Sequence, residues 1–494
     1  MERREFLKYG LSGMATVFVG SHLPWLQKTA GAADVAPLPP QTLTITITDA
    51  LKDMATHNSI NQAQCYFWIY DMSLNGVPIP SECPGPTLVV TAGDTVNFSI
   101  TNALDEPHSL FIPGIVDTGA IAPGDTFTGL FTATAAGAFL YFDNLNAPVN
   151  RMMGLHGALV VMPATPAVGA TKFTPYDNPT PAIQQLFDDF GPSEHFPGLA
   201  WEEGDATPWA LDPTKANVTP FRQFVWLLHQ ASPNLFAEVG SLAPGVLYDP
   251  QAFMDAFLRD PFQPNQDNNR NPQYFTINGQ SGFFSHFNPV VTPMTRVGEP
   301  VVIHILNAGL WSHSMHLHSN HFFVTSINDV PQENLLWIDV FGVYPMDKVD
   351  YVVPAMRPPD IGTIRGIGRP ETPLTTINGH PVWPPIEEFE MHMPELGTTA
   401  QDIDGNPVEL GQRMSPLCYP MHDHTEPSQT AQGGNYNMGL ISGLYITGDR
   451  NTPGFMDFPI DEDFLMAFQN IRGTVATAAA APAIGVPVTP TPDM

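Results

Sequence analysis

The sequence predicts a duplicated all-β protein, and three observations carry the prediction. Only 14% of the 494 residues are charged, while Gly (40) and Pro (52) are both over-represented. That composition suits short strands joined by ordered loops and disfavours helical bundles. The stretch Thr95-Val96-Asn97-Phe98-Ser99-Ile100 alternates apolar and polar residues, the period of a half-buried strand. The same stretch then recurs. Gly93–Asn102 aligns with Gly298–Asn307 at an offset of 205 residues, and the match continues without a gap from His108–Pro113 to His313–His318.

Each copy is preceded by an Asn-Gly pair, Asn75-Gly76 and Asn278-Gly279, the pair that favours tight hairpin turns. Each ends in Met-Gly-Leu, at 153–155 and 438–440, followed by an apolar strand. The first domain is therefore expected at about 40–165 and the second at about 220–450. Between them, 166–219 is a Pro- and acid-rich linker with one short helix candidate at 182–190. A second insertion spans about 357–412. The tail at 473–494 is of low complexity and expected to be disordered.

Hydrophobic residues make up 43% of the chain, enough to bury a core, and the formal net charge is -30. Such an acidic surface repels phosphate backbones, which argues against a nucleic-acid partner. No run of 18 apolar residues follows residue 40, so no membrane span is expected. Three cysteines are too few for a disulfide scaffold. The N-terminus, Arg3-Arg4-Glu5-Phe6-Leu7-Lys8 followed by an apolar stretch and Ala30-Gly31-Ala32, closely resembles a twin-arginine export signal over residues 1–32. That implies a periplasmic or extracellular protein. Export makes a Cys65–Cys83 disulfide chemically permissible.

The strongest chemical signal is His313-Ser314-Met315-His316-Leu317-His318. Residues two apart on a strand share a face at about 6.6 Å spacing, so His316 and His318 aim their imidazoles the same way. His422-Asp423-His424 repeats the spacing, with Asp423 pointing to the opposite face. If the two strands are neighbours, four imidazoles converge in a set suited to copper or zinc.

Together with motifs elsewhere in the sequence, these histidines make the chain resemble the multicopper oxidase family. The resemblance rests on Asn75-Gly76 followed by Pro84-Gly85-Pro86-Thr87, on Gly93-Asp94-Thr95-Val96, on His313 to His318, and on Asp339–Met346 with Asp350–Pro354. It implies two Greek-key cupredoxin-like barrels, copper, dioxygen and a small-molecule or metal-ion electron donor. Two-domain members of the family imply a homotrimer. His313 would sit at the electron-accepting copper, and His316, His318, His422 and His424 at the cluster that reduces dioxygen.

Departures are concentrated in domain 1. The family's first paired histidines should fall where this chain has Phe111-Ile112-Pro113, and its second near Tyr141-Phe142-Asp143-Asn144. Asp423 stands in the place of the family's cysteine, and Leu440 in its weak axial position. One or two copper ions are therefore expected, not a full complement. Two other readings stay open: a non-catalytic secreted copper-binding or structural protein, and an electron-transfer cupredoxin in which Cys418, His422 and His313 form a trigonal site.

Overall fold

The computed structural model describes residues 16–18, 41–54, 63–79, 81, 83–163, 174–189, 222–258, 274–282, 285, 291–297, 301–318, 320–354, 376–377, 380–381, 399–401, 407–409, 417–425, 428 and 439–449. Nearly all of the expected leader, most of the 357–412 insertion and the tail after 473 lie outside these residues.

Domain 1 contributes β1 (Thr16–Phe18), β2 (Gln41–Met54), β3 (Ala63–Leu74), β4 (Val77–Pro78), β5 (Thr87–Thr91), β6 (Thr95–Asn102), β7 (Phe111–Ile112), β8 (Val116–Asp117), β9 (Thr126–Thr132), β10 (Gly137–Phe142), helix α1 (Val149–Met152) and β11 (His156–Met162). They form two sheets, ordered β4-β3-β2-β6-β9 and β1-β5-β11-β10-β7-β8. The predicted alternation holds on β6, where Val96, Phe98 and Ile100 are buried between exposed or half-buried polar residues.

Domain 2 is preceded by α2 (Pro181–Asp189), close to the helix read from sequence, and built from β12 (Arg222–Ala231), α3 (Pro233–Gly240), α4 (Pro250–Phe257), β13 (Tyr274–Ile277), β14 (Met294–Val297), β15 (Val301–Asn307), β16 (His313–Leu317), β17 (Phe322–Ile327), β18 (Val330–Ile338), β19 (Val340–Val343) and β20 (Lys348–Val353). Two short hairpins follow, β21 (Thr376–Ile377) with β22 (His380–Pro381), and β23 (Thr399–Gln401) with β24 (Pro407–Glu409). The chain then returns in β25 (Leu417–Asp423) and β26 (Ile441–Asp449). The sheets run β13-β12-β15-β20-β17-β18 and β14-β26-β25-β16-β19.

The duplication is exact in topology: β5-β11-β10-β7-β8 corresponds to β14-β26-β25-β16-β19, and β3-β2-β6-β9 to β13-β12-β15-β20. Both Asn-Gly pairs take the left-handed backbone their position demands, with φ of 52° and 79° at Asn75 and Gly76, and 52° and 74° at Asn278 and Gly279, as hairpin turns of this twist require. Asn102 and its copy Asn307 do the same work, each donating its side-chain amide to two loop carbonyls.

The two domains dock through an apolar seam. The outward residues of β10 and β11 (Ala138, Leu140, Phe142, Ala158, Val160, Met162) and Val89 pack against Val225, Leu227, Leu306 and Ala308 of domain 2. The segment before α2 touches both domains: Tyr176 donates its hydroxyl to Asp350 at 2.6 Å, and Asp177 accepts from the Ala136 N–H at 2.6 Å. Among the described residues, no helix is long and apolar enough to cross a membrane.

Candidate metal centre

Strand β16 shows the pleat that the sequence implied. His313, Met315 and Leu317 face the core, while Ser314, His316 and His318 face outward. Antiparallel pairing with β25 sets His316 directly across from His422. Four imidazoles converge as expected. Ring centroids lie 5.0 Å apart for His316–His318, 5.4 Å for His316–His422, 4.8 Å for His316–His424, 4.8 Å for His318–His422 and 5.0 Å for His422–His424. The Nε2 atoms of His318 and His422 are 2.7 Å apart, and one donor atom from each of His316, His318 and His422 falls within 4.8 Å of the others.

Backbone carbonyls orient two of these rings. His316 donates Nδ1–H to the Asp339 carbonyl at 2.9 Å and His422 donates Nδ1–H to the Asp423 carbonyl at 3.2 Å. Each keeps its Nε2 lone pair, the arrangement in which a second interaction fixes a ligating histidine. Burial, followed by mutual repulsion, disfavours the charged form: His422 is pushed down to about 4, and His316 and His318 are also lowered. The rings are thus neutral donors near pH 7, and the set fits copper.

His313 does not join them. It lies on the other face of β16, fully buried, with Nδ1 against Asp423 Oδ2 at 2.7 Å and Nε2 accepting from the Gln230 amide at 2.8 Å. Both ring nitrogens are engaged. Burial alone would raise the Asp423 carboxyl, but the adjoining His313 and hydrogen bonds from His313, Ser314 N–H and Thr425 N–H hold it low. Because His313 and His422 sit on opposite faces of one sheet, the trigonal site imagined for them with Cys418 cannot form. The Cys418 side chain lies outside the described residues.

Domain 1 repeats the anchor without the cluster. His108, the copy of His313, places Nδ1 2.7 Å from Asp143 Oδ2, and Ser109 donates to the other carboxylate oxygen at 2.8 Å. The positions of His316 and His422 are held by Phe111 and Phe142, whose rings meet edge to face at 5.4 Å. Sequence reasoning missed Asp143. Its signal was available, since Asp143 follows Phe142 as Asp423 follows His422, each at the end of a strand preceding Met-Gly-Leu. Cys65 and Cys83 are buried thiols in the structure and not a disulfide. Of the other histidines, His304 is bonded at both nitrogens, to Asp350 and Gln223, and His321 stacks on Trp337.

Paired cupredoxin-like barrels carry a strand-borne histidine cluster whose donors could hold a metal ion. Two multicopper oxidase domain families match the chain, over residues 70–166 and 256–358. These two stretches together cover less than half of the chain, and over them it is similar to the multicopper oxidase family. A stretch is 37% identical over 112 residues to the L-ascorbate oxidase of Cucumis sativus, covering 20% of this chain and 19% of that protein. The L-ascorbate oxidase of Cucurbita maxima is 34% identical over 117 residues, 21% and 20% of the two chains. The matched part thus spans about a fifth of these relatives. The blue copper oxidase from Nitrosomonas europaea superposes with a TM-score of 0.42 at 16% identity, covering 81% of this chain and 84% of that one.

Proposed function

We propose that the protein is an exported copper-dependent oxidoreductase whose working site is the four-histidine cluster of domain 2. The observation that carries this reading is the convergence of His316, His318, His422 and His424 on one open sheet face. Copper held there would supply one-electron chemistry with dioxygen as acceptor. The chain's own contribution is positional: Asp339 and Asp423 carbonyls aim Nε2 of His316 and His422, and the exposed rings of His318 and His424 leave one side open to a small reductant.

The electron-accepting position is replaced by a hydrogen-bonded His313–Asp423 pair. A phenol or an oxidisable metal ion would therefore reduce the site directly rather than through a relay. One or two ions are expected. The leader supports export by the twin-arginine route to the periplasm or beyond. A homotrimer follows from the resemblance alone; domain 1 brings no imidazole to it at Phe111 or Phe142, both packed at the intrachain seam.

The non-catalytic reading draws on that same missing relay. Copper analysis with oxygen uptake, using phenolic and metal-ion donors, separates the two. Copper-dependent turnover abolished by His316→Ala supports the oxidoreductase; full copper loading without turnover leaves a copper-binding protein.

A further inference from the structure

A second group of metal-type side chains lies at the end of the interdomain seam, away from the four-histidine cluster. Cys83 precedes β5, His156 opens β11 and His229 lies on β12 of the other domain. All three are buried, and one donor atom from each falls within 4.8 Å of the others. The two imidazole centroids are 4.3 Å apart. We propose that Cys83, His156 and His229 form a buried site for a soft monovalent ion, copper(I), that clasps the two domains together.

The hydrogen bonds prepare both imidazoles. His156 Nδ1–H donates to the Arg151 carbonyl at 3.0 Å, and its buried Nε2 has no partner. His229 Nε2–H donates to the Met152 carbonyl at 3.1 Å, which leaves its lone pair on Nδ1. A ring pinned through one N–H to a backbone carbonyl is how ligating histidines are commonly held. An imidazole nitrogen buried without a partner is costly, a cost that a bound cation removes.

The surroundings are shaped to admit the sulfur. A Cβ on Gly154 would stand 3.0 Å from Cys83 Sγ and 2.5 Å from the Trp68 carbonyl, at a φ of +121°, so only glycine fits. Domain 2 closes over the same point: a Cβ on Gly279 would meet the Cys83 carbonyl at 2.2 Å. With bonds of about 2.0–2.3 Å, the donor atoms of a three-coordinate shell stand roughly 3.5–4 Å apart, so donors within 4.8 Å of one another need to close by at most about 1.3 Å.

Charge selects the ion. Lys52 donates Nζ to the Cys83 carbonyl at 2.9 Å, and the Arg151 carbonyl holds His156; both basic side chains are nearly buried. One thiolate, two neutral imidazoles and copper(I) sum to zero. A divalent ion would leave net positive charge beside two cations in a dry interior, which is costly. Thiolate softness favours copper(I) as well.

The test uses the full chain with His316, His318, His422 and His424 all changed to Ala, so that its outcome is independent of the function proposed above. Copper(I) is supplied anaerobically against a chromophoric copper(I) chelator, and the bound ion is read by X-ray absorption. The expected result is one copper per chain with one sulfur and two imidazole neighbours, and a raised unfolding temperature. Cys83→Ser should weaken binding at least 100-fold, while Cys65→Ser and Cys418→Ser leave it unchanged. Should Cys83→Ser fail to fold, the sulfur shell and its survival in the other two cysteine variants still decide. Absence of binding, a shell without sulfur, sulfur supplied by Cys65 or Cys418, or tighter binding of zinc(II) than copper(I) would overturn the proposal.

Discussion

Domain 1 and domain 2 are two copies of one barrel that met different surroundings. Both keep a buried His–Asp pair at 2.7 Å, His108–Asp143 and His313–Asp423. Both place two aromatic rings edge to face at 5.4 Å one strand away, Phe111–Phe142 in the first copy and His316–His422 in the second. What differs is what covers that face. In domain 1 it packs against β12 and β15 of the partner domain; in domain 2 the corresponding face leaves His318 and His424 exposed. An uncompensated imidazole in an apolar seam is costly, whereas on an open face it can meet an ion. Covered and open copies of one surface therefore hold carbon and nitrogen rings in the same geometry.

The comparison is broken most severely by His316→Ala with His422→Ala. Copper on the domain 2 face should be lost, with unfolding of the metal-free protein shifted by about 1–3 kcal/mol, because His422 is buried and its truncation removes packing. Metal analysis alongside calorimetry reads both. Next come Asp143→Asn and Asp423→Asn. Each breaks a buried pair and should cost about 3 kcal/mol, by similar amounts in the two domains. A large loss in one domain and none in the other would show that the pairs have different roles.

Acid should act mainly through the seam. Burial depresses His156 to about 3, and His229 is lowered as well, against about 6.5 in an unfolded chain. The unfolded state therefore binds the extra protons first. Stability is full above pH 6.5 and falls by a few kcal/mol as pH drops toward 3, measurable by denaturant titration at stepped pH. His156→Phe should flatten that profile. The smallest effect belongs to Phe111→His with Phe142→His, which should cost about 1–3 kcal/mol and add no copper, since those positions face the seam. More copper in this variant than in the unsubstituted chain would contradict the view that coverage separates the copies.

Much of this was legible because it is local. Gly93–Asn102 and its copy announce a strand by alternation, Asn75-Gly76 and Asn278-Gly279 announce their turns, and two H-x-H spacings announce a shared face through the pleat alone. The pleat also sets His313 apart: it is three residues from His316, an odd step, and so points the other way. Docking was not legible. That Phe142 meets domain 2, and that Cys83, His156 and His229 converge across the seam, depends on how two barrels pack. Helices α3 and α4 also escaped notice, although Pro233 and Pro250 stand at their first turns and Asp249 caps the second.

The open sheet face of domain 2 is expected to carry copper on its imidazoles, and the equivalent covered face of domain 1, at Phe111 and Phe142, to carry none. Pulsed electron paramagnetic resonance of the copper(II)-loaded full chain tests it directly. The predicted spectrum shows couplings to several imidazole nitrogens, lost in the His316→Ala, His422→Ala variant and kept when Phe111 and Phe142 become Ala. The same couplings surviving loss of His316 and His422 would contradict it.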